Sequence, residues 1–159
     1  MSVRIGQGFD VHRFVEDRTL WLGGVEIPHH QGLEGHSDAD VLLHAVMDAL
    51  LGAAGLPDIG HFFPNTDEAF RDISSVELLR RVWCEVRDRG FLLGNIDATV
   101  LAEAPKIAPF IGQMKRVIAE VLGVEEAQLA IKATTMEQLG FVGRREGIVA
   151  MAVALLVRG

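Results

Sequence analysis

Two periods of apolar and polar residues alternate along the chain, and together they predict a succession of strands and helices. Val3 to His12 reads as a strand interrupted by Gly6 and Gly8. Leu20 to Leu22 and Val25 to Ile27 read as short strands around Gly23-Gly24, a pair suited to the positive φ of a tight hairpin turn. From about Asp38 to Ala54 the period becomes helical, with Ser37 or Asp38 as N-cap, Gly55 past the end and Pro57 beyond. Pro57 to Ile73 carries turn formers and little periodicity, so it is expected as a surface loop of a length that often serves function. Ser74-Ser75-Val76-Glu77 has the form of a capping box opening a second helix, which Gly90 closes. Ile96 to Leu101 is a strand, and Pro105 and Pro109 lead into a helix ending near Gly123. Leu129 to Ala133 and Gly147 to Val157 complete the strands.

The last strand is apolar on both alternating sets of positions, the mark of a strand buried on both sides. The helices are too few to cover both faces of the sheet. The expected fold is therefore an α/β (α+β) sandwich: a mixed β-sheet with helices on one face, the other face packed against sister subunits. With 159 residues and no repeat or linker, the chain is expected to form one domain over 1–159. Fifteen Lys and Arg against 22 Asp and Glu give a net charge of −7 with no basic run, which argues against a nucleic-acid partner. The lone Cys84 excludes an intrachain disulfide and a multi-thiolate zinc site. No apolar stretch is long enough for a bilayer, and the start does not read as a leader. These features predict a cytoplasmic protein with no membrane partner.

Candidate chemistry begins at Asp10-Val11-His12. On a strand, a two-residue spacing points both side chains to one face, and a carboxylate beside an imidazole suits zinc. A third ligand must come from elsewhere. Asp40, His44 and Asp48 form one polar stripe on an otherwise apolar helix. A histidine between two carboxylates is the pattern of a ligand whose other ring nitrogen is held by a second partner. Asp10, His12 and His44 would leave a tetrahedral ion one open position. The same stripe is also what a solvated helix face looks like. His36, just before Ser37, is placed to meet an anion at a helix start, or to be an exposed loop residue. His29, His30 and His61 fall in loops and carry no such signal.

Gly6-Gln7-Gly8 is not a dinucleotide fingerprint, because no helix follows and the third glycine is missing. Lys132-Ala133-Thr134-Thr135-Met136-Glu137 ends a strand in two hydroxyls and a carboxylate. Those groups can hold phosphate oxygens and a hard cation such as magnesium, or simply cap a helix. In Gly140 to Gly147, Arg144 and Arg145 can clamp a diphosphate or be ordinary loop charge.

Taken together, these residues resemble the 2-C-methyl-D-erythritol 2,4-cyclodiphosphate synthase family. The resemblance rests on Gly8-Phe9-Asp10-Val11-His12, on His36-Ser37-Asp38-Ala39-Asp40 followed by His44, and on Asp58-Ile59-Gly60 and Phe63-Pro64. Ala104-Pro105-Lys106, Lys132-Ala133-Thr134-Thr135 and Gly140-Phe141 continue it in order, so it spans essentially the whole chain. It implies zinc on Asp10, His12 and His44, with magnesium or manganese on Glu137 and the substrate phosphates. It implies transition-state contacts from His36 and Thr135, and ribose contacts from Asp58 and Gly60, with Ile59 between them. A cytosine pocket is implied over Ala102, Glu103, Ala104, Pro105, Lys106, Ile107 and Ala108. Further substrate contacts fall on Asp10, His12, Ser37, Phe63, Pro64, Asn65, Thr66, Asp67, Thr134, Met136, Glu137, Phe141 and Arg144.

The resemblance also implies a homotrimer with sites between neighbouring subunits, and an axial cavity able to hold an isoprenoid diphosphate. No segment is left for the cytidylyltransferase domain fused to some relatives. Asn65 stands where the family commonly has Asp; it keeps an acceptor and gains donors, so an altered contact is expected rather than lost activity. His61 replaces a commoner basic residue. The implied reaction closes a cyclic diphosphate from a cytidine diphosphate-linked substrate and releases CMP. The competing readings are a zinc-dependent phosphohydrolase and a non-catalytic trimer that binds an isoprenoid diphosphate.

Overall fold

The computed structural model describes residues 1–159. Its strands are β1 (Ser2–Val15), β2 (Leu20–Leu22), β3 (Val25–Ile27), β4 (Gly32–Leu33), β5 (Leu92–Leu101), β6 (Leu129–Thr134) and β7 (Gly147–Arg158). The helices are α1 (Val41–Ala54), α2 (Ile59–Phe62), α3 (Ser75–Asp88), α4 (Ile111–Leu122) and α5 (Gly140–Gly143). Five strands form a mixed sheet in the order β4-β1-β7-β5-β6, and β2-β3 form the expected hairpin. Only β5 and β6 run parallel; β7 is antiparallel to both β1 and β5. Gly23 and Gly24 turn the hairpin at φ 60° and 74°, a region glycine enters without steric cost. No helix is long and apolar enough to cross a membrane.

Helix α1 is apolar apart from His44 and Asp48 and forms the centre of the core, between the sheet and α3. Its closeness to β1 depends on missing side chains. A Cβ on Gly8 would lie 1.8 Å from the Ala45 carbonyl oxygen, and one on Gly6 would lie 2.1 Å from that of Ala49. Gly6 and Gly8 therefore do not merely interrupt a strand; they let α1 lie directly on it. Ala45, Ala49 and Ala53 supply the matching small face of the helix.

Several boundaries depart from the pattern-based expectation. The first helix starts at Val41 with Asp40 as its N-cap, not Ser37 or Asp38. Ala39 sits at φ 58°, outside the helical region, so no helix can run through it. The Pro57 to Ile73 segment is not a plain loop, since it holds α2 and a 3₁₀ turn over Glu68–Phe70. Ser74 caps α3 by accepting from the Val76 amide, but Glu77 does not complete a capping box and instead pairs with Arg80 and Arg81. β7 is continuously buried only over Gly147–Ala150. Beyond that, Ala152, Ala154 and Leu156 are buried on the α1 side, whereas Met151 and Val153 are exposed. Val3, Ile5, Phe9 and Val11 of β1 extend the same open apolar face.

Candidate functional site

The alternation of β1 sends Gly6, Gly8, Asp10 and His12 to the face that α1 covers, and α1 brings His44 down onto them. Three ligand atoms converge there. Asp10 Oδ2 lies 2.9 Å from His12 Nε2 and 3.0 Å from His44 Nδ1, and the two ring nitrogens are 3.2 Å apart. A tetrahedral ion with bonds of about 2.0–2.1 Å needs ligands about 3.3 Å apart, close to these separations. Three electron-pair donors facing one point repel one another unless a proton or a cation lies between them. One carboxylate oxygen and two imidazoles make a donor set suited to zinc, so the residues fit the ion.

The outer ring nitrogens are occupied as ligand imidazoles require. His12 Nδ1 donates to the Glu34 carbonyl at 2.6 Å. His44 Nε2 meets the hydroxyls of Ser37 at 3.2 Å and Ser75 at 3.1 Å. The expected carboxylate partners of His44 are elsewhere. Asp40 is fully buried and accepts from the amides of Gly23, Gly24 and Leu43, at 2.9, 2.7 and 3.0 Å. Asp48 accepts from the Ile59 amide at 2.9 Å, which ties α1 to α2. Both carboxylates of the stripe are structural. Ser75 and the Glu34 carbonyl carried no sequence signal as site groups; a hydroxyl at a helix start and a backbone oxygen are too common.

The electrostatics follow from the geometry. Burial alone would raise the pKa of Asp10, but the hydrogen bonds and charges of His12 and His44 outweigh it and hold the carboxyl far below its ordinary range. For His12, burial opposes the charged form, yet the bond and charge of Asp10 and the Glu34 carbonyl raise its pKa overall. Burial, with the charge of Asp38, raises Asp40, while its three amide donors pull the other way.

A cavity of about 310 Å³ opens beside the cluster, lined by His36, Ser37, His44, Ile59, Gly60, Phe63, Pro64 and Asn65, with Phe70 and Leu78. His36 Nε2 donates to the Asp67 carbonyl at 2.9 Å, which fastens the ring to the segment after Phe63. Because the helix starts at Val41, His36 is not at its N-terminus; it faces the cavity from a loop. Asp58 caps α2 through the His61 amide at the rim. Thr66 and Asp67 are exposed beyond it, Asp67 capping the 3₁₀ turn through the Ala69 amide.

The other candidate residues lie apart. Ala102, Glu103, Pro105, Lys106, Ile107, Ala108, Thr134 and Thr135, with Ala133, line a second cavity of about 200 Å³ at the end of β5 and β6. Ala104 belongs to the same β5-to-α4 segment. Asp10 is paired with Ala150, Ala150 with Val100, and Val100 with Ala133. The two regions therefore share one row across the sheet, three strand spacings or roughly 14 Å apart. Thr135 Oγ1 accepts from the Glu137 amide at 3.2 Å, and the Met136 amide donates to Glu103 at 3.2 Å. Glu137, at φ 50°, is exposed and outside the three-ligand cluster. No helix follows Thr134 directly, so the reading of Thr134 and Thr135 as helix caps falls. Phe141 and Arg144 are exposed, and Arg144 pairs with Glu146 at 2.8 Å.

Comparison with known proteins agrees along the whole length. The YgbB family pattern matches residues 3–157. A 2-C-methyl-D-erythritol 2,4-cyclodiphosphate synthase from Listeria monocytogenes serotype 4b is 59% identical over 154 residues, 97% of this chain and 98% of that protein. One from Lysinibacillus sphaericus is 59% identical over 155 residues, 98% of each. Among solved structures, bifunctional IspDF from Campylobacter jejuni superposes with a TM-score of 0.94 at 47% identity, covering 98% of this chain and 42% of that one. The CDP complex of IspF from Plasmodium falciparum superposes at 0.87 with 35% identity, over 99% and 97%.

Proposed function

Because this chain belongs to the YgbB family, we propose that it closes 4-diphosphocytidyl-2-C-methyl-D-erythritol 2-phosphate to 2-C-methyl-D-erythritol 2,4-cyclodiphosphate, releasing CMP. The reaction is a metal-dependent phosphorus–oxygen lyase step of non-mevalonate isoprenoid biosynthesis. The single observation that carries the reading is the convergence of Asp10, His12 and His44 on one point.

The 2-phosphate oxygen attacks the β-phosphorus, and the bond from that phosphorus to the bridging oxygen breaks, so CMP departs with the electron pair. The nucleophile is already ionised near neutral pH (a phosphate's second pKa is about 6). The departing CMP is itself a phosphate, so neither a strong base nor a strong acid is required of the protein. Alignment and neutralised charge are required. Asp10, His12 and His44 would hold zinc, which supplies a positive centre that polarises a phosphoryl oxygen. His36, which lines the adjoining cavity, and Thr135 would stabilise the transition state, with Ser37 a further substrate contact. Glu137 offers an oxygen for magnesium or manganese on the diphosphate, beside the hydroxyls of Thr134 and Thr135. Lys106 and its neighbours from Ala102 to Ala108 would take the cytosine, and Asp58 with Gly60 the ribose. The segment from Phe63 to Asp67, with Asn65 at the cavity wall, covers the methylerythritol portion and excludes water.

The roughly 14 Å between the two halves of the candidate site is bridged in our reading by assembly. In a homotrimer, the cluster of one copy would face the β5–β6 pocket of the next. The open apolar face of Val3, Ile5, Phe9, Val11, Met151 and Val153 supports such packing. An axial cavity lined from that face would suit an isoprenoid diphosphate. The exposed free thiol of Cys84 suits the reducing cytoplasm. Residues 1–159 act here as one catalytic domain. Mass spectrometry of the products formed with zinc and magnesium is the test. CMP with a cyclic diphosphate is expected; CMP with a linear product would point to a hydrolase, and prenyl diphosphate binding without CMP release to a non-catalytic trimer.

A further inference from the structure

A metal-binding imidazole must present a lone pair to the ion, so its other nitrogen must carry the proton. For His12 the Glu34 carbonyl decides this, because a carbonyl only accepts. His44 has no such partner. Its Nε2 faces the hydroxyls of Ser37 and Ser75, and a hydroxyl can either give or take a proton. Neither neighbour selects a tautomer by itself.

Asp38 removes the ambiguity. Its Oδ2 accepts from the Ser75 amide at 2.9 Å and its Oδ1 from the Asp40 amide at 3.2 Å. Backbone amides only donate, so both oxygens act as acceptors, and the Ser75 hydroxyl, also bonded to Oδ1, must donate to it. With that proton committed, Ser75 Oγ has only a lone pair left for His44. Nε2 then carries a proton, and Nδ1, beside Asp10 and His12, is the nitrogen left to bind an ion. The oxygen of Ser37 already accepts from the Ala39 amide at 3.2 Å, which leaves its hydroxyl proton free for the cavity.

We propose that Asp38, acting through the Ser75 hydroxyl, is a positioning residue that selects the metal-binding tautomer of His44. The proposal rests on the zinc reading of the cluster and extends it by one layer. Asp38 touches neither the ligand atoms nor the cavity, and Ser75 is fully buried.

The test uses the full chain with Asp38→Asn, Ser75→Ala and His44→Ala. Imidazole ¹⁵N spectra of the metal-free protein report the tautomer, and competition with a chromophoric chelator reports zinc affinity. The wild type is expected to carry a proton on His44 Nε2, whether or not Nδ1 shares a second one with the Asp10 carboxylate 3.0 Å away. Asp38→Asn and Ser75→Ala are expected to mix the tautomers and to weaken zinc by roughly 10–100-fold. Should Asp38→Asn prove too unstable to purify, Ser75→Ala decides alone, since it leaves both backbone bonds to Asp38 in place. An Nε2–H tautomer and zinc affinity within about twofold of wild type would overturn the proposal, even with a lowered melting temperature. His44→Ala separates the two levels: loss of zinc there with no effect in the other variants leaves the metal centre standing and removes the role of Asp38. Zinc retained in His44→Ala would remove both.

Discussion

The two ends of one row across the sheet are built to opposite standards. At β1 and α1, three ligand atoms lie within 3.2 Å of each other, every outer ring nitrogen has a partner, and the carboxylate is held ionised. At the end of β6, Thr134, Thr135 and Glu137 are exposed and bonded chiefly to their own backbone. The first end is organised before anything binds; the second leaves its groups open to solvent. A charged cluster inside a fold has to be satisfied by its own chain, or burial costs several kcal/mol per group. Surface hydroxyls bear no such penalty, because water satisfies them.

The sharpest way to break the contrast is His44→Ala. It is expected to abolish zinc uptake, measured by metal analysis, and to lower turnover by roughly three orders of magnitude. Circular dichroism is expected to show the fold kept, because His44 supports the site and not the core. Full activity in that variant would refute the ligand assignment.

Next in size is a charge on the open face. Val153→Asp would place a carboxylate where another copy is proposed to pack, at a cost of several kcal/mol. Sedimentation is expected to show single chains that still bind zinc but have lost more than roughly a hundredfold in activity. Activity in a dissociated chain would mean that both halves work without assembly.

Acidity separates the ends as well. A proton and the proposed zinc would compete for His12, whose pKa is raised by Asp10 and the Glu34 carbonyl despite burial. In the metal-free protein, the stability tied to protonated His12 is present below its unfolded value and lost as pH rises through the folded one. Zinc affinity runs the other way, weakening by about tenfold per pH unit below the folded value for one displaced proton. Chelator competition from neutral to mildly acidic pH checks it, and a flat profile would contradict the coupling.

The smallest effect belongs to Glu137→Gln. Zinc content is expected to stay unchanged while the magnesium needed for half-maximal rate rises by roughly fivefold, since magnesium keeps most of its waters and leans on few carboxylates. An unchanged magnesium titration would remove Glu137 from the site.

Much of this was legible along the chain because it depends on short-range periodicity. Asp10 and His12 share a face wherever β1 lies, since the strand period is two. Gly23-Gly24 specifies its turn through φ alone, and Gly55 and Gly123 end α1 and α4 in the left-handed conformation. The stripe of Asp40, His44 and Asp48 was visible too, but not the different duty of each member. Rotation of α1 about its axis decides that, and the rotation is set by Ala45 and Ala49 seated on Gly8 and Gly6. The start of α1 is ambiguous along the chain for a related reason: Ser37, Asp38 and Asp40 are all good caps, and only the backbone at Ala39 chooses among them.

Local order alone therefore determined which residue types stand at which spacing: a carboxylate and an imidazole on one strand face, an imidazole one helix away, hydroxyls at a strand end. Tertiary packing decided which of them meet. Glycines let two backbones approach until His44 reaches Asp10 and His12, and hairpin amides draw Asp40 away to cap the helix. Periodicity acts over a few residues, whereas the meeting of residues 10 and 44 depends on the contact of whole elements, a property no local window contains.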